Sequence, residues 1–118
     1  MTVARGVLIV FCLALTPFEA MAVSTCTITE KLACGRASGC KRIPVSVVVR
    51  LDVQNQTYSR CDAKGCDDYP SQFAPSGIFI VIDVPGRGIV AKMLEDGSEF
   101  VEVVTQGTGV IVSFGKCN

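Results

Sequence analysis

Val45-Ser46-Val47-Val48-Val49-Arg50-Leu51-Asp52-Val53 is the run that decides the fold. Val45, Val47, Val49, Leu51 and Val53 share one face of an extended chain, and Ser46, Arg50 and Asp52 share the other, with Val48 the exception. A period of two with one apolar face specifies a strand of an antiparallel sheet lying over a core. Upstream, residues 26–34 alternate weakly and read as a first strand. Downstream, Gln54-Asn55-Gln56 turns the chain into Thr57-Tyr58-Ser59-Arg60.

The same grammar continues to the end of the chain. Residues 69–75 make a weaker strand, interrupted by Pro70 and Pro75, because proline is confined to strand edges, starts and bulges. Ser76-Gly77, Pro85-Gly86-Arg87-Gly88, Glu95-Asp96-Gly97-Ser98 and Gln106-Gly107-Thr108-Gly109 are turns. Between them lie residues 78–84, apolar on both faces, and then 89–94, 99–105 and 110–114. Turns recur about every ten residues with no helical period, which is the pattern of an antiparallel meander of roughly seven or eight short strands. Such an all-β meander protects its edges by closing into a small barrel or folding into a sandwich.

The densest run of charge, aromatics and cysteine is Tyr58-Ser59-Arg60-Cys61-Asp62-Ala63-Lys64-Gly65-Cys66-Asp67-Asp68-Tyr69. Asp favours the start of a tight turn and Gly its end, so Cys61 and Cys66 are expected to face each other across a hairpin. A disulfide there would fix where the neighbouring charges point. Tyr58, Arg60, Asp62, Lys64, Asp67, Asp68 and Tyr69 are therefore the candidate partner-binding residues, since Arg and Tyr are frequent interface anchors.

The first 22 residues read as a secretory signal peptide. Arg5 is followed by the apolar run Gly6–Leu15, and Ala20-Met21-Ala22 supplies a small-x-small cleavage site. The run is too short to span a bilayer, which needs ~20 residues. Residues 23–118 then form one all-β disulfide-bonded domain with no membrane-spanning segment, and the expected location is periplasmic or secreted. Of seven cysteines, Cys12 leaves with the leader, and the six that remain read as a disulfide framework. Six cysteines allow 15 pairings and the sequence does not choose among them. The one favoured here, because two of its bonds are local and the third ties the first strand to the last, is Cys34–Cys40, Cys61–Cys66 and Cys26–Cys117. Arg5 and Glu19 also leave, so ten basic and ten acidic residues balance. A nucleic-acid binder would show a basic excess.

Catalytic and metal motifs fail on context. The chain has no histidine, which removes Ser-His-Asp and Cys-His catalysis and the commonest zinc ligand. Gly86-Arg87-Gly88-Ile89-Val90-Ala91 matches a dinucleotide fingerprint but opens a strand where a helix is required. Ser38-Gly39-Cys40-Lys41 matches a penicillin-recognising motif but lies in a cysteine-bound loop. C-x5-C and C-x4-C are looser than zinc spacings, and Asp62, Asp67 and Asp68 lack the EF-hand spacing. Asn55-Gln56-Thr57 is a glycosylation sequon, relevant only in a eukaryotic host. Lys31, Arg36, Lys41 and Arg42 form a basic cluster that reads mainly as a solvated loop. No cofactor, metal or enzymatic activity is expected.

The run Arg60–Asp67 resembles small, uncharacterised exported proteins of proteobacteria that share R-C-D-x-K-G-C-D. The resemblance extends through Ser76-Gly77, Pro85-Gly86-Arg87-Gly88, Asp96-Gly97, Glu102-Val103-Val104-Thr105 and Gly115-Lys116-Cys117. It implies a bacterial origin and no particular activity. The expected architecture also looks like that of the periplasmic lysozyme inhibitors, an analogy of fold alone. The sequence reading is therefore a binding or inhibitor-type module with a protein partner in the cell envelope or exterior. Its alternatives are a barrel carrying an apolar ligand, lined by residues 78–84, and a structural envelope protein.

Overall fold

The computed structural model describes residues 23–118; the segment read as a signal peptide lies outside the described residues. Among the described residues the chain forms ten strands and no helix. They are β1 (Ser24–Gly35), β2 (Gly39–Arg42), β3 (Val48–Asp52), β4 (Thr57–Asp62), β5 (Gly65–Pro70), β6 (Gln72–Ser76), β7 (Phe79–Val84), β8 (Ile89–Leu94), β9 (Phe100–Gln106) and β10 (Gly109–Cys117). All pairings are antiparallel, in the order β5-β4-β3-β1-β10-β9-β8-β7-β6, with β2 added to β1. Of the two closures left open by the sequence, the nearly closed barrel is the one that forms.

Closure comes from two places. β1 pairs with β10, so the first and last strands are neighbours, and the register sets Cys26 opposite Cys117. The ends of the sheet, β5 and β6, are consecutive stretches of chain joined only by Ser71. The strand expected over 69–75 is in fact the junction of these two. Pro70 ends the pairing with β4, Ser71 donates its N–H to the Gln56 carbonyl at 2.8 Å, and the chain then pairs with β7. Pro75 is tolerated because β6 is a terminal strand of the sheet.

The interior is filled by every second residue. Val49 and Leu51 from β3, Tyr58 from β4, Ile80, Ile82 and Val84 from β7, Ile89, Ala91 and Met93 from β8, and Phe100 from β9 are buried together with Cys26 and Ile28. A β-bulge between Ile28 and Glu30 shifts the phase of β1, so Lys31, opposite buried Ser113, faces inward beyond it. Gly115 is required there, because a Cβ on it would collide with the Thr27 carbonyl oxygen across the ladder.

The decisive run is shorter as a strand than its alternation suggests. β3 begins at Val48, and Val45 and Val47 follow Pro44 in irregular chain anchored by the Ile43 N–H on the Lys31 carbonyl at 2.9 Å. Val47 still packs on the core, whereas Val45 is exposed. The six cysteines form Cys26–Cys117, Cys34–Cys40 and Cys61–Cys66, the favoured pairs. Each joins residues directly opposite in a strand pair. Three such bonds are compatible with an oxidising compartment.

Candidate functional site

The β4–β5 hairpin is built by its register. Val49 lies opposite Arg60 and Leu51 opposite Tyr58. Because Val49 and Leu51 point inward, so do Arg60 and Tyr58. The seven residues grouped by sequence therefore divide. Asp62, Lys64, Asp67 and Asp68 are exposed, Tyr69 is half-buried against the core, and Tyr58 is fully buried. Arg60 keeps about a quarter of its side chain exposed. The expectation that all seven form one presented surface is corrected. Tyr58, Arg60 and Asp62 share one face of β4, with Tyr69 and Asp67 opposite the first two. On that face Tyr58 and most of Arg60 are buried in the barrel, while Asp62 and Asp67, nearer the tip, are exposed.

At the tip, the Asp62 carboxylate accepts the Lys64 N–H at 2.8 Å, and Gly65 takes a positive φ that a side chain would resist. The Cys61–Cys66 bond closes the hairpin one residue below. Ser59 donates to Asp68, which holds that carboxylate against the strand. Three carboxylates and one ammonium thus stand on a stapled turn. The Arg87 guanidinium lies 4.8 Å from the centre of the Tyr69 ring. Strand direction brings the β1–β2 hairpin, with Cys34–Cys40, Arg36 and Lys41, to the same end of the barrel.

Inside the barrel the inward residues meet a partner that the sequence reading did not single out. Glu102 of β9 is 1% exposed. The Tyr58 hydroxyl donates to its Oε2, and Arg60 Nη2 lies 3.5 Å from its Oε1. A buried carboxylate is tolerated only when paired and hydrogen-bonded, and these two groups supply both conditions. Burial, then the charge of Glu102 and the hydrogen bond donated to it, hold the Tyr58 hydroxyl far above the ordinary tyrosine range, while Arg60 works in the other direction. Arg60 Nε is buried without a partner. The crevice beside this cluster, lined also by Lys31, Val47 and Ser113, is too narrow for a water molecule. The cluster therefore joins β4 to β9 across the interior and has no space for a ligand. The signal in the sequence was phase: Glu102 alternates with Phe100 and Val104, so it had to share their face.

The six cysteines of the described residues are bonded to one another, which leaves no thiolate among them for a metal. Among the described residues no group of three or more His, Cys, Asp or Glu side chains could hold a metal ion, and no helix is long and apolar enough to cross a membrane. Fold and site together define a small disulfide-stapled β-barrel carrying a charged hairpin. Set against known proteins, the chain matches no family model, no curated protein and no solved structure.

Proposed function

We propose that this is a small exported binding module, inhibitor-like in form, that engages a protein partner of the periplasm or exterior with the tip of the β4–β5 hairpin. The observation that carries this reading is the fixed charge at that tip: Asp62, Asp67 and Asp68 against Lys64, on a turn held by a disulfide and by the Asp62 carboxylate. A turn already ordered loses little freedom on binding, so more of its contact energy appears as affinity. An acidic excess fits a partner with a basic surface and speeds encounter with it. The reading is one of binding without catalysis. The resemblance of Arg60–Asp67 to exported proteobacterial proteins and the three disulfides support the location.

The test is capture from envelope and lytic-enzyme extracts, followed by titration with the purified captured protein. Reversing the tip charges with Asp67→Lys and Asp68→Lys should weaken binding at least about tenfold, or ~1.4 kcal/mol, and flatten its salt dependence. Lys64→Ala should leave it intact or strengthen it. Binding unchanged by the double reversal would remove the hairpin from the interface.

A further inference from the structure

The outer wall of the barrel over β8, β9, β10 and β1 is apolar although it faces solvent. Two cross-strand rows run over it. One passes from Lys92 through Val101 and Phe114 to Glu30. The next passes from Asp83 through Val90, Val103, Val112 and Leu32 to Arg42. Val90 is 50% and Phe114 41% exposed. Beside Phe114 lies a groove of about 410 Å³, with Lys92, Glu99, Val101 and Lys116 among its lining residues. Contiguous apolar surface of this kind marks an interaction site.

The charges say what covers it. Each row carries opposite charges at its two ends, and the two rows run in opposite senses: cation to anion in the first, anion to cation in the second. Both rows are centred between β9 and β10. A two-fold axis along the strands at that midline, with two walls face to face, exchanges the ends of every row. Lys92, whose Nζ lies 4.2 Å from the centre of the Phe79 ring, then stands on the side of Glu30 of the second copy, and Asp83 on the side of its Arg42. Within each copy Glu30 and Arg42 pair with each other at 3.0 Å. Val101 meets Phe114, Val103 meets Val112, and Val90 meets Leu32. Glu99 and Lys116, one residue beyond the paired Phe100 and Gly115, also fall opposite each other. An anionic bilayer is the poorer match, because the flanks carry both signs and attract no net anion.

We propose that this wall is the isologous interface of a homodimer, packed as aligned sheets about 10 Å apart. Phe114 of each copy enters the groove of the other. The convex walls diverge away from the midline, so the apolar centre of each row makes the contact and the charges at the row ends orient the approach. This inference stands apart from the hairpin's partner, because the wall uses different residues.

Sedimentation of the oxidised protein over a range from low to high micromolar concentration tests it. The expected result is a reversible monomer–dimer equilibrium. Phe114→Thr should yield monomer with little change in the melting temperature of dilute, monomeric protein, since Phe114 is 41% exposed and threonine suits a strand. Lys92→Glu and Glu30→Lys should each weaken association about tenfold, by setting like charges opposite each other. Glu30→Lys also breaks the 3.0 Å pair with Arg42 of its own chain, so its melting temperature is measured beside it. Combining the two substitutions should restore association. Lys92 and Glu30 lie three strands apart within one barrel, so rescue can arise only between copies. Monomer at every concentration, or a double variant no tighter than the singles, overturns the proposal. So does a monomer that floats with phosphatidylglycerol vesicles, which would make lipid the occupant.

Discussion

The two sides of the barrel use their outward positions differently. Over β8–β10 and β1 those positions carry Val90, Val101, Val103, Val112 and Phe114. Over β3–β6 they carry mainly Arg50, Asp52, Thr57, Ser59, Asp68, Gln72 and Ser76, with Val48 and Ala74 the apolar exceptions. A barrel needs apolar residues only inside, so the fold demands the second pattern and leaves the first unexplained. The polar side holds its tip by Cys61–Cys66, within a loop of sequence separation 5; the apolar side is tied at Cys26–Cys117, across a separation of 91. Between the two sides, Tyr58 and Arg60 of the polar side reach Glu102 of the apolar side through the interior. One side is thus stapled locally, the other globally, and a single buried ionic cluster spans them.

The contrast between staples gives the largest expected effect. Replacing Cys26 and Cys117 with Ser releases a loop worth about 4.6 kcal/mol of chain entropy, against about 2 kcal/mol for Cys61 and Cys66. Urea denaturation of the two double variants should therefore separate them clearly. Equal losses would show that the local staple secures more than its own turn. Next comes the interior span. Glu102→Ala strands the buried Tyr58 hydroxyl and removes the partner of the three-quarters-buried Arg60, and should destabilise the barrel by about 2–4 kcal/mol, read as a fall in melting temperature. Glu102→Leu combined with Arg60→Met and Tyr58→Phe removes both charges and the hydroxyl they satisfy, and should recover most of that loss.

The fold was legible because the inside of a barrel imposes a period of two, and Val49, Leu51, Ile82 and Val84 obey it. Cysteine pairing is not fixed by sequence, but the favoured set forms, each bond being local or joining the chain's two end strands. Two features were not legible. The hairpin residues were read by composition, whereas strand phase decides orientation, and so Tyr58 and Arg60 were expected outside. Residues 78–84 were seen to be apolar on both faces, but a lining for an internal ligand and an apolar outer wall give the same string of residues. Only the pairing of Asp83 with Val90 and of Val81 with Lys92 shows which outward residues share a row.

The two smallest effects are read by pH and again separate interior from surface. Tyr58 has its folded pKa raised, so the stability it contributes is intact below the unfolded value near 10 and is lost as pH rises above it. The expected slope is about 1.4 kcal/mol per pH unit, and its phenolate absorbance should appear only with unfolding. Tyr58→Phe should remove that slope while keeping the packing.

Asp52 behaves in the opposite sense. Its side chain accepts hydrogen bonds from the Asn55 side chain at 2.8 Å and the Asn55 N–H at 3.0 Å, which lower its pKa. A depressed carboxylate contributes stability that is present above the unfolded value near 3.9 and disappears as pH falls through the folded one. The group is exposed and lies in the turn between β3 and β4, so water screens its contribution. Asp52→Asn should therefore slightly flatten the acid limb of a stability–pH curve below pH 4 and leave the alkaline limb unchanged. An alkaline limb that moved with Asp52→Asn would mean that this turn is coupled to Tyr58 through β3 and β4. The polar side of the barrel would then be a single cooperative unit, and the division between a locally and a globally held side would no longer stand.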